Sequence, residues 1–148
     1  MAKKPFLVRG YIASVDLSFI KSSFLHSFRN SGGSKLMSNK LYFSTYSPRF
    51  EALLSAPGVI TVVAVNPNDT SHIYGWSCWE KLGGAQILHY VYVKRPYWGF
   101  GIATEMLSSS GFELSEPFFY TLAAKPVNSL RRRFPGAVYN PWLFLKLK

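Results

Sequence analysis

The chain predicts a mixed α+β domain in which helices pack on a central, twisted, mostly antiparallel sheet. Three observations point there. Its 148 residues fit one domain with a real core, and residues 1–148 are read as a single unit. Apolar residues make up 48% and charged residues 16%, a balance that compact globular chains share and disordered ones lack. Two helix-spaced apolar patterns precede a run of β-rich segments separated by turn signals, and further helical and extended segments follow it.

Residues 6–13, Phe-Leu-Val-Arg-Gly-Tyr-Ile-Ala, read as an opening strand. Asp16 then offers a carboxylate to cap a helix whose apolar face is Leu17, Ile20, Phe24, Leu25 and Phe28. Asn30-Ser31-Gly32-Gly33-Ser34 ends that helix, and the polar stretch beyond it reads as loop. Ser47-Pro48 is expected to open a second helix, with Pro at the first helical position, where its missing N–H is harmless. Phe50, Leu53 and Leu54 form its inner face, and Pro57-Gly58 stops it.

Three strands come next, at 59–65, 73–79 and 85–93, joined by Asn66-Pro67-Asn68-Asp69 and Lys81-Leu82-Gly83-Gly84 as an antiparallel meander. A helix begins near Gly101 and closes at Gly111. Residues 118–123 read as a strand, 127–134 as a short basic helix and 137–147 as a last extended segment. The tally is six to seven strands and about four helices.

Seventeen basic against seven acidic residues give a net charge of +10, which favours polyanionic partners such as a phosphorylated cofactor or nucleic acid. The cations are scattered, apart from Arg131-Arg132-Arg133. The lone Cys78 excludes an intrachain disulfide and sits in a strand-like context, as a packed thiol does. Lys3 and Lys4 precede an apolar run that Arg9 interrupts, so no signal-peptide core is read. No apolar stretch approaches the roughly 20 residues that span a bilayer. The expectation is a soluble, cytoplasmic protein without a membrane partner.

The informative segment is the turn between strand 85–93 and the helix after it. Gly99 and Gly101 admit close approach of a ligand to the backbone, and the helix start leaves amide hydrogens unpaired with a partial positive charge behind them. Together they suit a pyrophosphate, and Lys94 and Arg95 are available at the rim. Thr104 stands where a dinucleotide fingerprint needs its third glycine, and the Gly-Lys-Ser/Thr of nucleotide hydrolases is missing. A purely structural tight turn is the alternative.

The window Trp98-Gly99-Phe100-Gly101-Ile102-Ala103, after Val91-Tyr92-Val93 and before Met106-Leu107, resembles the acyl-CoA motif of the GCN5-related N-acetyltransferase superfamily. Gly101 and Ala103 match, whereas Trp98 replaces the usual Arg or Gln. The element order resembles that superfamily along nearly the whole chain. The resemblance implies a GNAT-like acyl-CoA N-acyltransferase fold with acetyl-CoA, or a related acyl-CoA, as co-substrate. Val91, Val93, Trp98, Gly99, Phe100, Gly101, Ile102, Ala103 and Thr104 would contact it. It also implies that the strand before the turn splays from residues 118–123, and that Asn128 contacts the cofactor arm, a helix cap being its other reading.

Transfer to an amine needs a base, an oxyanion donor and an acid. His89 stands on the strand feeding the turn, where the resemblance places a glutamate or histidine base. A hydrogen-bonded core histidine is the competing reading. Counting by twos puts Gln86, Leu88, Tyr90 and Tyr92 on one face and Ile87, His89, Val91 and Val93 on the other. Glu80 is a second candidate base. His26 is a candidate for the acceptor side and His72 reads as a turn residue. The acid that the resemblance implies falls on Pro135, so Tyr139 is taken as a substitute. The histidines and the cysteine lack metal-ligand spacing, and no Gly-x-Ser-x-Gly is present.

The leading reading is therefore an acetyl-CoA-dependent N-acetyltransferase acting on an amine of a small molecule, protein or nucleic acid. The alternatives are a binding module of the same fold and an enzyme that modifies nucleic acid. The basic, aromatic-rich style is similar to acetyltransferase-like proteins of bacteriophages, and a homodimer is admitted as a partner.

Overall fold

The computed structural model describes residues 5–124, 127–128 and 132–144. Among these residues six strands form one sheet in chain order, β1-β2-β3-β4-β5-β6. β1 (Leu7–Gly10), β2 (Ile60–Asn66), β3 (Asp69–Leu82) and β4 (Ala85–Val93) are joined antiparallel. β5 (Phe118–Tyr120) lies parallel to β4, and β6 (Ala137–Tyr139) lies parallel to β5. Three α-helices are described: α1 (Ala13–Phe28), α2 (Asn39–Ser55) and α3 (Ile102–Ser109). The mixed sheet with helices is the class expected. Much of the helix expected at 127–134, with Arg131 in it, and the end of the segment expected at 137–147 lie outside the described residues.

The meander is long because its turns are short. Asn66 pairs with Asp69 and Leu82 with Ala85, so two residues suffice at each hairpin and β3 runs well beyond the expected 73–79. At Gly75 the strands are so close that a Cβ would stand 2.5 Å from the Tyr92 carbonyl oxygen, which leaves room for glycine alone. One sheet face carries α1 and α2 over an aromatic core. Phe24 stacks on Phe50 at 4.1 Å, Trp76 stacks on Tyr90 at 5.4 Å, and all four are buried. The polar tips of its stacked Trp and Tyr rings are satisfied. The Trp76 indole donates to Ser23 and Tyr90 bonds Ser27. α3 covers the other side, where the Trp79 indole donates to Ser110.

Several local expectations are corrected. Asp16 is not the N-cap of α1. It lies inside the first turn, reaches back to the Ile12 amide at 2.8 Å and takes a bidentate ion pair from Arg9. α2 starts at Asn39, capped by Ser38, so much of the stretch expected as loop is helix and Pro48 lies inside it. His72 belongs to β3, packed edge-on to Tyr74. The opening strand is only Leu7–Gly10, and β5 and β6 are three residues each rather than the longer runs expected.

Candidate acyl-transfer site

β4 carries the feature that organises the site. Cys78 pairs with Tyr90 but Trp79 pairs with Leu88, so His89 is an extra residue, a bulge in β4. Alternation therefore breaks there, and the expected grouping of Leu88 with Tyr90 on one face is corrected: their β3 partners, Trp79 and Cys78, are neighbours on opposite faces. The bulge also ends pairing on the other side of β4. β4 and β5 stay in register from Gln86–Phe118 to Leu88–Tyr120, the Thr121 amide adds one bond to the Leu88 carbonyl, and the ladder stops.

Beyond that point β4 runs on without β5. The Lys94 amide donates to Tyr74 across β3, so by strand alternation Val91 and Val93 direct their N–H and C=O groups into the opening. Among the described residues only the Val93 carbonyl has a partner there, the Trp98 indole N–H at 2.7 Å. Trp98 thus closes one backbone position, and Arg95 lies over its exposed ring at 5.4 Å. Lys94 does not reach the rim, because its ammonium sits over Phe19.

The turn leads from the opening into α3. Gly99 and Gly101 take φ of 89° and 74°, the left-handed region that costs other L-residues about 1–2 kcal/mol. Gly101 is the residue before α3, and the first helical bond runs from the Glu105 amide to its carbonyl. The amide hydrogens of residues 99–104 have no acceptor among the described residues. Phe100 is exposed beside them, and Ile102 is buried, anchoring the helix. Asn128 follows β5, its amide bonded to the Ala124 carbonyl, which begins a helical turn.

His89 is fully buried where the strands part. Its Nε2 lies 2.6 Å from Glu80 Oε2 and its Nδ1 lies 2.8 Å from Thr121 Oγ1. The two expected bases are therefore one hydrogen-bonded unit, and Thr121 joins it. Sequence reasoning missed Thr121, since only the parallel register and the bulge bring it to His89. A carboxylate can only accept, so where Glu80 is a carboxylate and His89 a neutral imidazole the hydrogen stands on Nε2 and the Thr121 hydroxyl donates to Nδ1.

Thr121 also lines a cleft of about 250 Å³. Its walls include Phe28 from α1, Ser31 and Ser34 from the following turn, Tyr46 and Arg49 from α2, and Tyr139 and Phe144 from the C-terminal segment. The Phe144 ring stands edge-on to His89 at 5.7 Å. Tyr139 is half exposed and packs on Tyr120. His26 is exposed on α1, bonds the Ser22 carbonyl and does not line the cleft. Cys78 is buried, and burial pushes its thiol up to about 12, which leaves no thiolate for nucleophilic work.

Three of the described cations are tied up locally. Arg9 is held by Asp16, Lys21 by Glu51, and Arg29 by the Ser34 and Met37 carbonyls. No helix among the described residues is long and apolar enough to cross a membrane, and no three His, Cys, Asp or Glu side chains among them gather as metal ligands.

Comparison with known proteins identifies the fold. No protein-family model matches the chain, and no curated protein sequence does. Solved structures do match. The GCN5-related glucosamine N-acetyltransferase region of a fungal multi-domain β-N-acetylglucosaminidase superposes with a TM-score of 0.54 at 16% identity, over 74% of this chain. This chain spans only 12% of that protein. A Pyrococcus furiosus protein described as an acetyl transferase superposes with a TM-score of 0.53 at 19% identity, over 71% of each chain. The architecture is that of the GNAT acyl-CoA N-acyltransferases.

Proposed function

We propose that a chain with this fold works as an N-acyltransferase, moving the acetyl group of acetyl-CoA, or a related acyl-CoA, onto an amine bound in the 250 Å³ cleft. The observation that carries the reading is the opening between β4 and β5, with His89 at its apex and unpaired amides at its far end. The pyrophosphate of the thioester would lie on the amides of residues 99–104, where backbone hydrogens and the start of α3 favour an anion. The pantetheine arm would run down the opening as an added strand, bonding the free N–H and C=O groups of Val91 and the N–H of Val93, with Asn128 across from them. Because Trp98 already holds the Val93 carbonyl, that oxygen is not offered to the arm.

Proton movement follows from the tautomer. The amine nitrogen attacks the thioester carbonyl, and the carbon–sulfur bond then breaks. The amine proton passes to Thr121 Oγ1 as the Thr121 hydroxyl hydrogen passes to His89 Nδ1. Glu80 holds the ring by Nε2 and stabilises the imidazolium that forms, as the buried carboxylate does in a catalytic triad. The Tyr139 hydroxyl, on the cleft wall, would return a proton to the departing thiolate. Glu80 is in this scheme a positioning residue and not the base.

Calorimetric titration with acetyl-CoA tests the reading. Saturable binding that weakens in a Gly101→Val variant is the expected result, and absence of binding at millimolar thioester would remove it.

A further inference from the structure

The cleft walls carry a statement about the acceptor, and it rests on the transferase reading. Among the described residues that line the cleft the only cation is Arg49, which is exposed and has no ion-pair partner among them. No Asp or Glu among the described residues lines it. Glu80, behind Thr121 and His89, is already paired with the imidazole, and Glu51, on α2 with Arg49, is paired with Lys21. A second ammonium on the acceptor would thus meet no counter-charge, in a chain already at +10. An anion would meet a guanidinium, with the Ser31 and Ser34 segment beside it. Phe28, Tyr46 and Phe144 supply ring faces and edges for an apolar body. At about 250 Å³ the cleft is smaller than the roughly 300–1,000 Å³ that holds drug-sized ligands.

We infer that the acceptor is a small primary amine that also bears a carboxylate or phosphate, its anion on Arg49 and its amine toward Thr121. Polyamines and other multiply cationic amines are excluded by the same walls. Arg49 is then the specificity-determining residue.

Four probes separate the possibilities: phenylalanine, phenethylamine, which is the same amine without its carboxylate, O-phosphoethanolamine and spermidine. Binding of each to the protein without acetyl-CoA is measured by calorimetry, and thiol release with acetyl-CoA is measured in parallel. The anionic amines should bind and react roughly 10- to 150-fold better than phenethylamine, the range of one charge-assisted hydrogen bond. Phenylalanine ahead of O-phosphoethanolamine assigns a carboxylate, and the reverse order a phosphate. Arg49→Ala should erase the advantage and Arg49→Lys restore part of it, the change falling on acceptor KM and not on acetyl-CoA KM. Equal binding of phenylalanine and phenethylamine, or preference for spermidine, overturns the inference. Arg49-dependent binding without thiol release for any amine would instead refute the transferase reading and leave the anion contact standing.

Discussion

Thr121→Val tests the relay most directly, because it replaces one hydroxyl by a methyl of nearly the same shape at a side chain that is 1% exposed. The deleted atom stands 2.8 Å from His89 Nδ1, so the imidazole keeps Glu80 on Nε2 and loses its link to the cleft. General-base catalysis contributes typically 10²–10⁴-fold. The variant should therefore lose at least about 100-fold in kcat, close to the loss in His89→Ala, with acetyl-CoA KM nearly unchanged. Glu80→Gln keeps the shape but removes the charge that faces the imidazolium. A charge-assisted hydrogen bond of about 1.5–3 kcal/mol converts to a loss of roughly 10- to 150-fold.

Initial rates of thiol release at saturating acetyl-CoA, with phenylalanine as acceptor, read all three variants. Because the residues act as one unit, the Thr121→Val, Glu80→Gln double variant should fall well short of the product of the single losses. Imidazole nitrogen NMR supplies a readout that a merely structural role would not give. Wild type should show the hydrogen on Nε2, and Glu80→Gln should show a mixture, since an amide can either donate or accept. Wild-type kcat in Thr121→Val refutes the relay, and a hydrogen found on Nδ1 in wild type refutes the assigned direction.

Other expectations follow from geometry away from the relay. Gly101→Val puts a β-branched residue at φ 74°, where the cost is conformational because the nearest atom to a new Cβ is Thr104 Oγ1 at 3.8 Å; acetyl-CoA affinity should fall about tenfold or more by calorimetry. Gly75→Ala forces a Cβ toward the Tyr92 carbonyl and should cost about 1–3 kcal/mol, roughly 2–12 °C in Tm by thermal denaturation. Burial alone would raise the Asp16 carboxyl, but the Arg9 bonds and charge and the Ile12 amide hold it below its ordinary 3.8. Its stabilisation is complete above that value and is lost as pH falls through the lowered one. Asp16→Asn should therefore destabilise by about 1–3 kcal/mol at pH 7, the cost of one charge-assisted hydrogen-bonded pair with a partly exposed partner, and flatten the acid limb of a stability–pH curve below pH 4. Cys78, buried and pushed up to about 12, should resist alkylation at pH 8 until denaturant is added.

The readable parts of the sequence were those set by local chemistry. Glycines at 99 and 101, the apolar face of α3 and the double-glycine hairpin at 83–84 are all decided within a few residues. The start of α2 was hidden because Ser47-Pro48 imitates a cap. The actual cap, Ser38, lies nine residues earlier, and the apolar spacing of Tyr42, Tyr46, Phe50 and Leu53 runs straight through Ser47-Pro48. Asp16 misled for a related reason: a carboxylate near a helix start can cap it or reach backwards, and only Arg9, seven residues upstream, decides. Thr121 had no signal at all, because its role depends on which residue of β4 lies opposite.

The bulge at His89 explains why these features belong together. One extra residue in β4 leaves the histidine ring out of the regular pairing, able to meet both Glu80 and Thr121. It lies just where β4 and β5 cease to pair, so the backbone of Val91 and Val93 faces an opening. Deleting His89 should therefore do more than remove a base: it would restore strand alternation and shift residues 90–93 by one position relative to β5. A deletion variant should lose acetyl-CoA binding as well as turnover, whereas His89→Ala should keep the binding and lose the turnover. If the deletion variant folds and binds acetyl-CoA as tightly as wild type, the opening does not depend on the bulge, and the link between strand geometry and catalysis fails.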